Sequence, residues 1–272
     1  MPPSLNPGID FSSGSTLEVR FTKQVNEDSI RDKLASLGHQ NAMIQSMGQN
    51  EFFIRLKSQE SGQTLDRGLM LDALQEIAMI DSSNFDSVSP IIAIETVRNA
   101  TIAVVVAAIG ILLYITWVIR AVSHPFRYGV SAIIALIHDV VIILGVFSVL
   151  GKITGLEVNA MFIVGILTVI GYSVNDTIVV FDRIRENQDA MKGGTDYLHI
   201  LNKSINQSLS RTIITSLTTL SVVLVIYFYS AAGEEINTFA LALIIGVLVG
   251  TYSSIFVASP IVHIWRQKLQ VQ

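Results

Sequence analysis

Apolar residues are distributed in two regimes along this chain. The first hundred residues alternate and cycle over short distances, and the remainder is dominated by five long apolar runs. In residues 15–22, STLEVRFT, apolar and polar positions alternate with the period of a half-buried strand. Residues 26–37 follow the helical period, with Asn26 placed to cap the first turn and Gly38 just past the end. Residues 41–47 and 51–57 predict two strands around a turn at 48–50, residues 63–79 a second helix, and residues 86–96 a last strand leading into the first apolar run. That order predicts a small α+β ferredoxin-like domain, helices on an antiparallel sheet, assigned to residues 1–97.

The apolar runs cover about 101–119, 130–150, 159–181, 212–230 and 237–265. A helix needs about 20 apolar residues to cross the hydrocarbon core of a bilayer. Each run meets that length, and the last exceeds it, which predicts tilt or extension past the lipid. Five such runs leave almost no polar face for water. Residues 98–272 therefore predict an α-helical polytopic membrane bundle rather than the interior of a large soluble protein.

Composition sharpens this division. Half of the 272 residues are hydrophobic and 15% are charged, against about 25% in soluble domains. A net charge of −4 gives no basic footprint for nucleic acid. The chain has no cysteine, which excludes disulfides, thiol catalysis and thiolate metal sites. Nothing in it points to a cofactor or a resident metal.

Charge also orients the spans. Arg120, Arg127, Arg183, Arg185, Lys192, Lys203, Arg211, Arg266 and Lys268 fall on one side, and Lys152 and Arg98 on the other. The loops at 120–129 and 182–211 and the C-terminal tail are expected to be cytoplasmic, and residues 1–97 extracytoplasmic. Residues 1–10 carry neither a basic region nor an apolar stretch that would direct export. The simplest resolution is a further transmembrane helix upstream, giving six spans.

The outward domain shows no catalytic constellation. It holds 13 acidic and 8 basic residues within 1–100, and its one histidine, His39, is expected to be a solvated loop residue. A contact or gating module fits this better than an enzyme.

Ionisable groups inside spans are costly and mark function. Asp139 lies nine residues into its run, roughly 14 Å deep at 1.5 Å per residue, with His138 beside it. It reads either as a hydrogen-bonded clasp between helices or as a group that takes up and releases protons. Asp176 lies nearer the cytoplasmic end of its run, flanked by Ser173, Asn175 and Thr177 as supporting polar residues. Arg211 begins the next run on the same side. The two could form a pair that protonation releases, or Arg211 could simply reach the headgroups. Gly246 and Gly250 are spaced to let another helix approach closely, and Gly145, Gly165 and Gly171 are weaker candidates for the same.

Four segments carry a family resemblance: Gly8-Ile-Asp-Phe-Ser-Ser-Gly14, Ala135-Leu-Ile-His-Asp139, the run from Ser173 to Glu186 (SVNDTIVVFDRIRE), and Gly250-Thr-Tyr-Ser-Ser254. Together they resemble the SecF-type members of the SecD/SecF protein-export family, within the resistance-nodulation-division superfamily. The resemblance implies a multi-pass, six-span, non-enzymatic subunit of the bacterial cytoplasmic membrane. It implies pairing with SecD, association with the SecYEG channel, and use of the proton-motive force to help pull translocating preproteins outward. It also implies proton-relay roles at Asp176 and Arg211, with Asp139 contributing. One departure stands out: where the family often has an acid before the Phe that starts the last span, Asn237 and Thr238 precede Phe239, leaving Glu234 or Glu235 as substitutes. The competing expectations are a small-molecule exporter of the same superfamily, a scaffold without proton chemistry, and an intramembrane aspartyl protease. The last is disfavoured by the expected difference in depth between Asp139 and Asp176 and by the absence of a Gly-x-Gly-Asp pattern.

Overall fold

The computed structural model describes residues 5–40, 42–48, 50–56, 67–122, 124–191, 196–229 and 234–270. They fall into two compact units, one of Pro7–Asn99 and one built from Ala100–Gln272, to which Asn6 also belongs.

In the first unit, strands β1 (Gly14–Phe21), β2 (Met43–Ser46), β3 (Glu51–Leu56) and β4 (Ile80–Val88) form an antiparallel sheet in the order β2-β3-β1-β4. A short helix α1 (Ile9–Ser12) precedes β1, α2 (Glu27–Ser36) links β1 to β2, and α3 (Arg67–Gln75) lies between β3 and β4. This is the predicted ferredoxin-like order, each helix crossing over an intervening strand. The alternation in β1 buries Leu17, Val19 and Phe21 against Ile30 and Leu34 of α2, Ile54 and Leu56 of β3, and Met70 and Leu74 of α3. Asn26 caps α2 by accepting a bond from the Asp28 amide, and Gly38, at φ +91°, ends it. His39 is half-buried rather than solvated, and that burial lowers its pKa from 6.5. In the segment Gly8–Gly14, Arg55 donates to the Pro7 carbonyl and the Ser12 hydroxyl, and Gly14 enters β1 at φ +128°, where a side chain would strain the backbone.

The last strand departs from expectation. It spans Ile80–Val88, not 86–96, because Ser89-Pro90 starts a helix. The Ser89 hydroxyl accepts from the Ile92 amide at 3.4 Å, and proline suits the first helical position, where its missing N–H would be unpaired anyway. Residues 63–66 of the expected second helix, and residues 41 and 57 at the strand ends, lie outside the described residues.

Five helical segments are long and apolar enough to cross a membrane: α4 (Pro90–Val118), α5 (Pro125–Thr154), α6 (Ala160–Ala190), α7 (Tyr197–Tyr229) and the segment from α8 (Glu234–Ser253) through a π-helical turn (Ser254–Ala258) into α9 (Ser259–Gln270). All outrun their apolar cores. The extension of α6 carries a half-buried Asp182–Arg185 pair and an exposed Arg183–Glu186 pair.

The closest packing is between α6 and α8, and glycine makes it possible. A Cβ on Gly246 would run into the Val169 side chain, one on Gly250 would stand 3.0 Å from Ser173 Cβ, and one on Gly165 3.0 Å from Ala242 Cβ. Gly145 and Gly171, also expected at close contacts, have nothing within 4 Å of a built Cβ. The last span changes helix type part-way along its length. Pro260 lacks the N–H that would bond the Phe256 carbonyl, and its ring crowds that oxygen. The widened turn over Ser254–Ala258 absorbs the misfit, with Ser259 Oγ bonded to the Ser254 carbonyl at 2.9 Å. At the other end of the bundle, Asn6 bridges the Gly151 carbonyl and the Val158 amide, each at 2.8 Å, closing the α5–α6 connection.

Candidate functional site

Asp139, on α5, is buried to 1% exposure. Its Oδ2 accepts hydrogen bonds from Ser173 Oγ of α6 at 2.6 Å and Ser253 Oγ of α8 at 2.8 Å. Its Oδ1 lies 3.1 Å from Nδ1 of His138, whose half-buried ring stacks on Tyr252. Every carboxylate oxygen is therefore matched. The close packing at Gly246 and Gly250 is what brings the two serine-bearing helices within reach of one carboxylate. Of the two expectations for Asp139, the clasp between helices is the one with contacts: it ties α5, α6 and α8 at a single point.

Asp176 is equally buried, at 1% exposure, but its situation is the reverse. Its Oδ2 has no hydrogen-bond partner. It lies one turn from Ser173 along α6, about 4.5 Å at 1.5 Å per residue. The two aspartates thus differ in level by about one turn, and no hydrogen bond joins them.

A polar bridge sets the register of α6 against α7. Tyr172 OH donates to Ser216 Oγ at 3.1 Å, and Ser216 Oγ lies 2.6 Å from Thr251 Oγ1 of α8. Asp176 is four residues beyond Tyr172 on α6, and Arg211 five residues before Ser216 on the antiparallel α7. Both stand about 6–7.5 Å to the same side of the bridge. No ion pair closes between Asp176 and Arg211, and Arg211 is exposed. The expected partners are neighbours, not a bonded pair. Thr212, beside Arg211, is buried at 1% with its hydroxyl unpaired.

The supporting residues divide. Ser173 joins the Asp139 clasp, and Thr177 bonds the Ser173 carbonyl at 3.0 Å. Asn175 is exposed on the opposite side of α6 and does not belong to the buried group. Near the other end of α8, the Asn237 Oδ1 and Thr238 Oγ1 atoms are buried without partners, and Glu235 is exposed. The Glu234 side chain lies outside the described residues. Among the described residues, no group of three or more His, Cys, Asp or Glu could hold a metal ion.

Sequence reasoning did not single out Ser253, Tyr172, Ser216 or Thr251. Ser253 and Thr251 stand in the Gly250–Ser254 segment that carried part of the resemblance. A cluster at the 120–129 and 182–211 end was also unanticipated. It links Tyr128, Gln188, Tyr197, His263 and Arg266 across α5, α6, α7 and α9.

Comparison with known proteins completes the picture. The family model for the C-terminal part of the protein export membrane proteins SecD/SecF matches residues 70–268, and the model for the SecD/SecF GG motif matches residues 5–25. The protein translocase subunit SecF of Thermobaculum terrenum is 40% identical over 97% of this chain and 86% of its own length. The subunit of the same name from Thermodesulfovibrio yellowstonii is 42% identical over 94% of this chain and 82% of its own. Among solved structures, SecDF of Thermus thermophilus, a translocon-associated membrane protein, superposes with a TM-score of 0.79 at 38% identity. That match covers 96% of this chain and 34% of the SecDF chain, so this chain spans about a third of it.

Proposed function

The chain belongs to the SecD/SecF family of protein export membrane proteins, and from that premise we propose that it is a SecF-type accessory subunit which couples proton movement through the cytoplasmic membrane to the outward pulling of exported chains. Its multi-pass helices suit a bacterial inner-membrane subunit. In this reading the 120–129 and 182–211 loops face the cytoplasm, and residues 1–97 meet the preprotein outside.

The observation that carries the proposal is the contrast between the two buried aspartates. Asp139 is fully hydrogen-bonded, whereas Asp176 Oδ2 is buried without a partner and has the Arg211 charge nearby but unpaired. An unpaired acceptor in the interior of a membrane bundle is costly and is retained where it works. Asp176 carries the proton. Protonation removes the charge that attracts Arg211, and deprotonation restores it, so α6 and α7 are drawn together or released. Asp139 holds α5, α6 and α8 as the frame against which that motion occurs.

A strip of polar and small residues supports pairing with a SecD-type subunit at the SecYEG channel. Thr168, Gly171 and Asn175 of α6 and Arg211, Thr218 and Ser221 of α7 are exposed at bundle depth. Hydrocarbon is a poor neighbour for them, and small and polar residues are what membrane helices use against each other. The family and the relatives' names disfavour a small-molecule exporter, and the absence of a bond between the aspartates argues against a protease dyad.

The test is export into vesicles driven by an imposed proton gradient, with this subunit and its SecD-type partner present. Asp176→Asn and Arg211→Ala are each expected to abolish the gradient-dependent part while the protein still assembles. Full gradient-dependent export by both variants sinks the proposal.

A further inference from the structure

Between Asp176 and the end of the bundle that bears the 120–129 and 182–211 loops lies a buried aromatic layer. Phe181 of α6, five residues beyond Asp176 and so about 7.5 Å along the helix, is fully buried, as are Val180 and Ile184. Tyr128 of α5 packs edge-on against Phe181 at a centroid distance of 5.1 Å and an angle of 88°. The Tyr128 hydroxyl lies 3.1 Å from that of Tyr197 at the start of α7 and accepts a bond from Gln188 of α6 at 3.3 Å. Tyr197 is 7% exposed. Its ring is covered by two residues of α9: the His263 imidazole stacks on it at 5.9 Å and 12°, and the Arg266 guanidinium lies 4.4 Å from its centroid. His263 Nδ1 is itself buried without a partner.

We infer that Tyr197, clasped by His263 and Arg266 and bonded to Tyr128, is the latch of a gate that separates Asp176 from the cytoplasmic face. The inference rests on the reading of Asp176 as the proton-carrying group.

Three features make the layer a gate rather than ordinary packing. First, it draws on four helices, because α5, α6, α7 and α9 each contribute a residue. Second, its polar atoms are bonded between separate helices, Tyr128 of α5 to Tyr197 of α7 and Gln188 of α6, while α9 holds the Tyr197 ring through His263 and Arg266. Third, α9 continues the helix whose Ser253 is bonded to Asp139, and the π turn lies between the two attachment points. One helix therefore joins the frame of the proton site to the latch. For Asp176 to exchange a proton with the cytoplasm, the Tyr197 contact must open. For the proton gradient not to run down, it must be shut when the other side is open.

The experiment places the subunit with its SecD-type partner in vesicles loaded with a pH-sensitive dye and follows proton leakage under an imposed gradient, without a preprotein. Tyr197→Ala and His263→Ala are expected to raise the leak severalfold. Tyr197→Phe keeps the ring but loses the bond to Tyr128, and is expected to fall between them and the parent. Adding Asp176→Asn to either leaky variant should return the flux to background. A parental leak rate in His263→Ala and Tyr197→Phe overturns the gate, even where Tyr197→Ala does not assemble. So does a leak that persists in the double variants, since the flux then bypasses Asp176. Failure of the underlying reading is separate and visible: it appears as gradient-driven export that survives Asp176→Asn alone, whereas failure of the gate leaves that export lost and the leak unchanged.

Discussion

Ser253 Oγ donates a 2.8 Å hydrogen bond to Asp139 Oδ2 across 114 positions of sequence. The contact joins the last span to the second, and Ser173 completes it from the third. Its energetic role is structural, and the expected signature is a loss of stability. Ser253→Ala should cost about 1 kcal/mol, and Asp139→Ala, which strands the buried Ser173 hydroxyl and leaves Ser253 only the Gly250 carbonyl, about 1–3 kcal/mol. Unfolding of the purified protein in mixed detergent, followed by helical signal, measures both.

Asp176 should behave in the opposite way. Its buried Oδ2 is unpaired, so Asp176→Asn breaks no hydrogen bond at that oxygen. The variant is expected to unfold no more easily than the parent while losing gradient-dependent export. A destabilisation as large as that of Asp139→Ala would show that Asp176 is a packing residue.

The glycines give a graded test of packing. Gly246→Leu drives a side chain into Val169 and is expected to cost about 1–3 kcal/mol. Gly145→Ala meets open space and should leave stability within about 0.5 kcal/mol of the parent. Melting temperatures in detergent separate the two cases.

The absence of native cysteine allows a clean cross-link. Ser216 Oγ and Thr251 Oγ1 lie 2.6 Å apart, so Ser216→Cys with Thr251→Cys should form a disulfide between α7 and α8 on mild oxidation in membranes. If α7 moves against α8 during the cycle, the oxidised form loses export and reductant restores it. The readout is a mobility shift on gels without reductant, alongside the export assay.

In the α+β unit, burial holds the folded-state pKa of His39 below 6.5. The unfolded chain therefore binds the extra proton first as pH falls. The contribution of His39 to stability is complete above pH 6.5 and declines as pH drops through 6.5 toward the folded value. Denaturation of the full chain at pH 7.5 and 5.5 should show this loss, and His39→Gln should reduce it.

What could be read from sequence was what depends on neighbours in the chain. The alternation of β1, the Asn26 cap and the five apolar runs are local signals, and the structure returns each of them. The boundary at Ser89-Pro90 was also local, but the β-branched and aliphatic residues after it masked a capping signal that was present. The Asp139 clasp was legible only as an alternative, because Ser173 and Ser253 reach it across 34 and 114 positions. Asn175 sat in the right segment and faces the wrong way, since residues adjacent in a helix point about 100° apart. The Tyr128–Tyr197 contact, 69 positions apart, has no local mark at all.

The π turn at Ser254–Ala258 has a consequence for how the last span is aimed. A π turn is, in effect, one extra residue in an α-helix, and each residue turns the helix by about 100°. Ser253 lies before the insertion and addresses Asp139; His263 and Arg266 lie after it and address Tyr197. Were 254–258 to regularise into an α-helix with every residue kept, its two halves would fall out of phase. With Ser253 seated, His263 and Arg266 would point about 100° away from their ring, and deleting one residue from the turn would restore the phase. The irregular turn thus acts as an angular offset that lets one helix serve two directions.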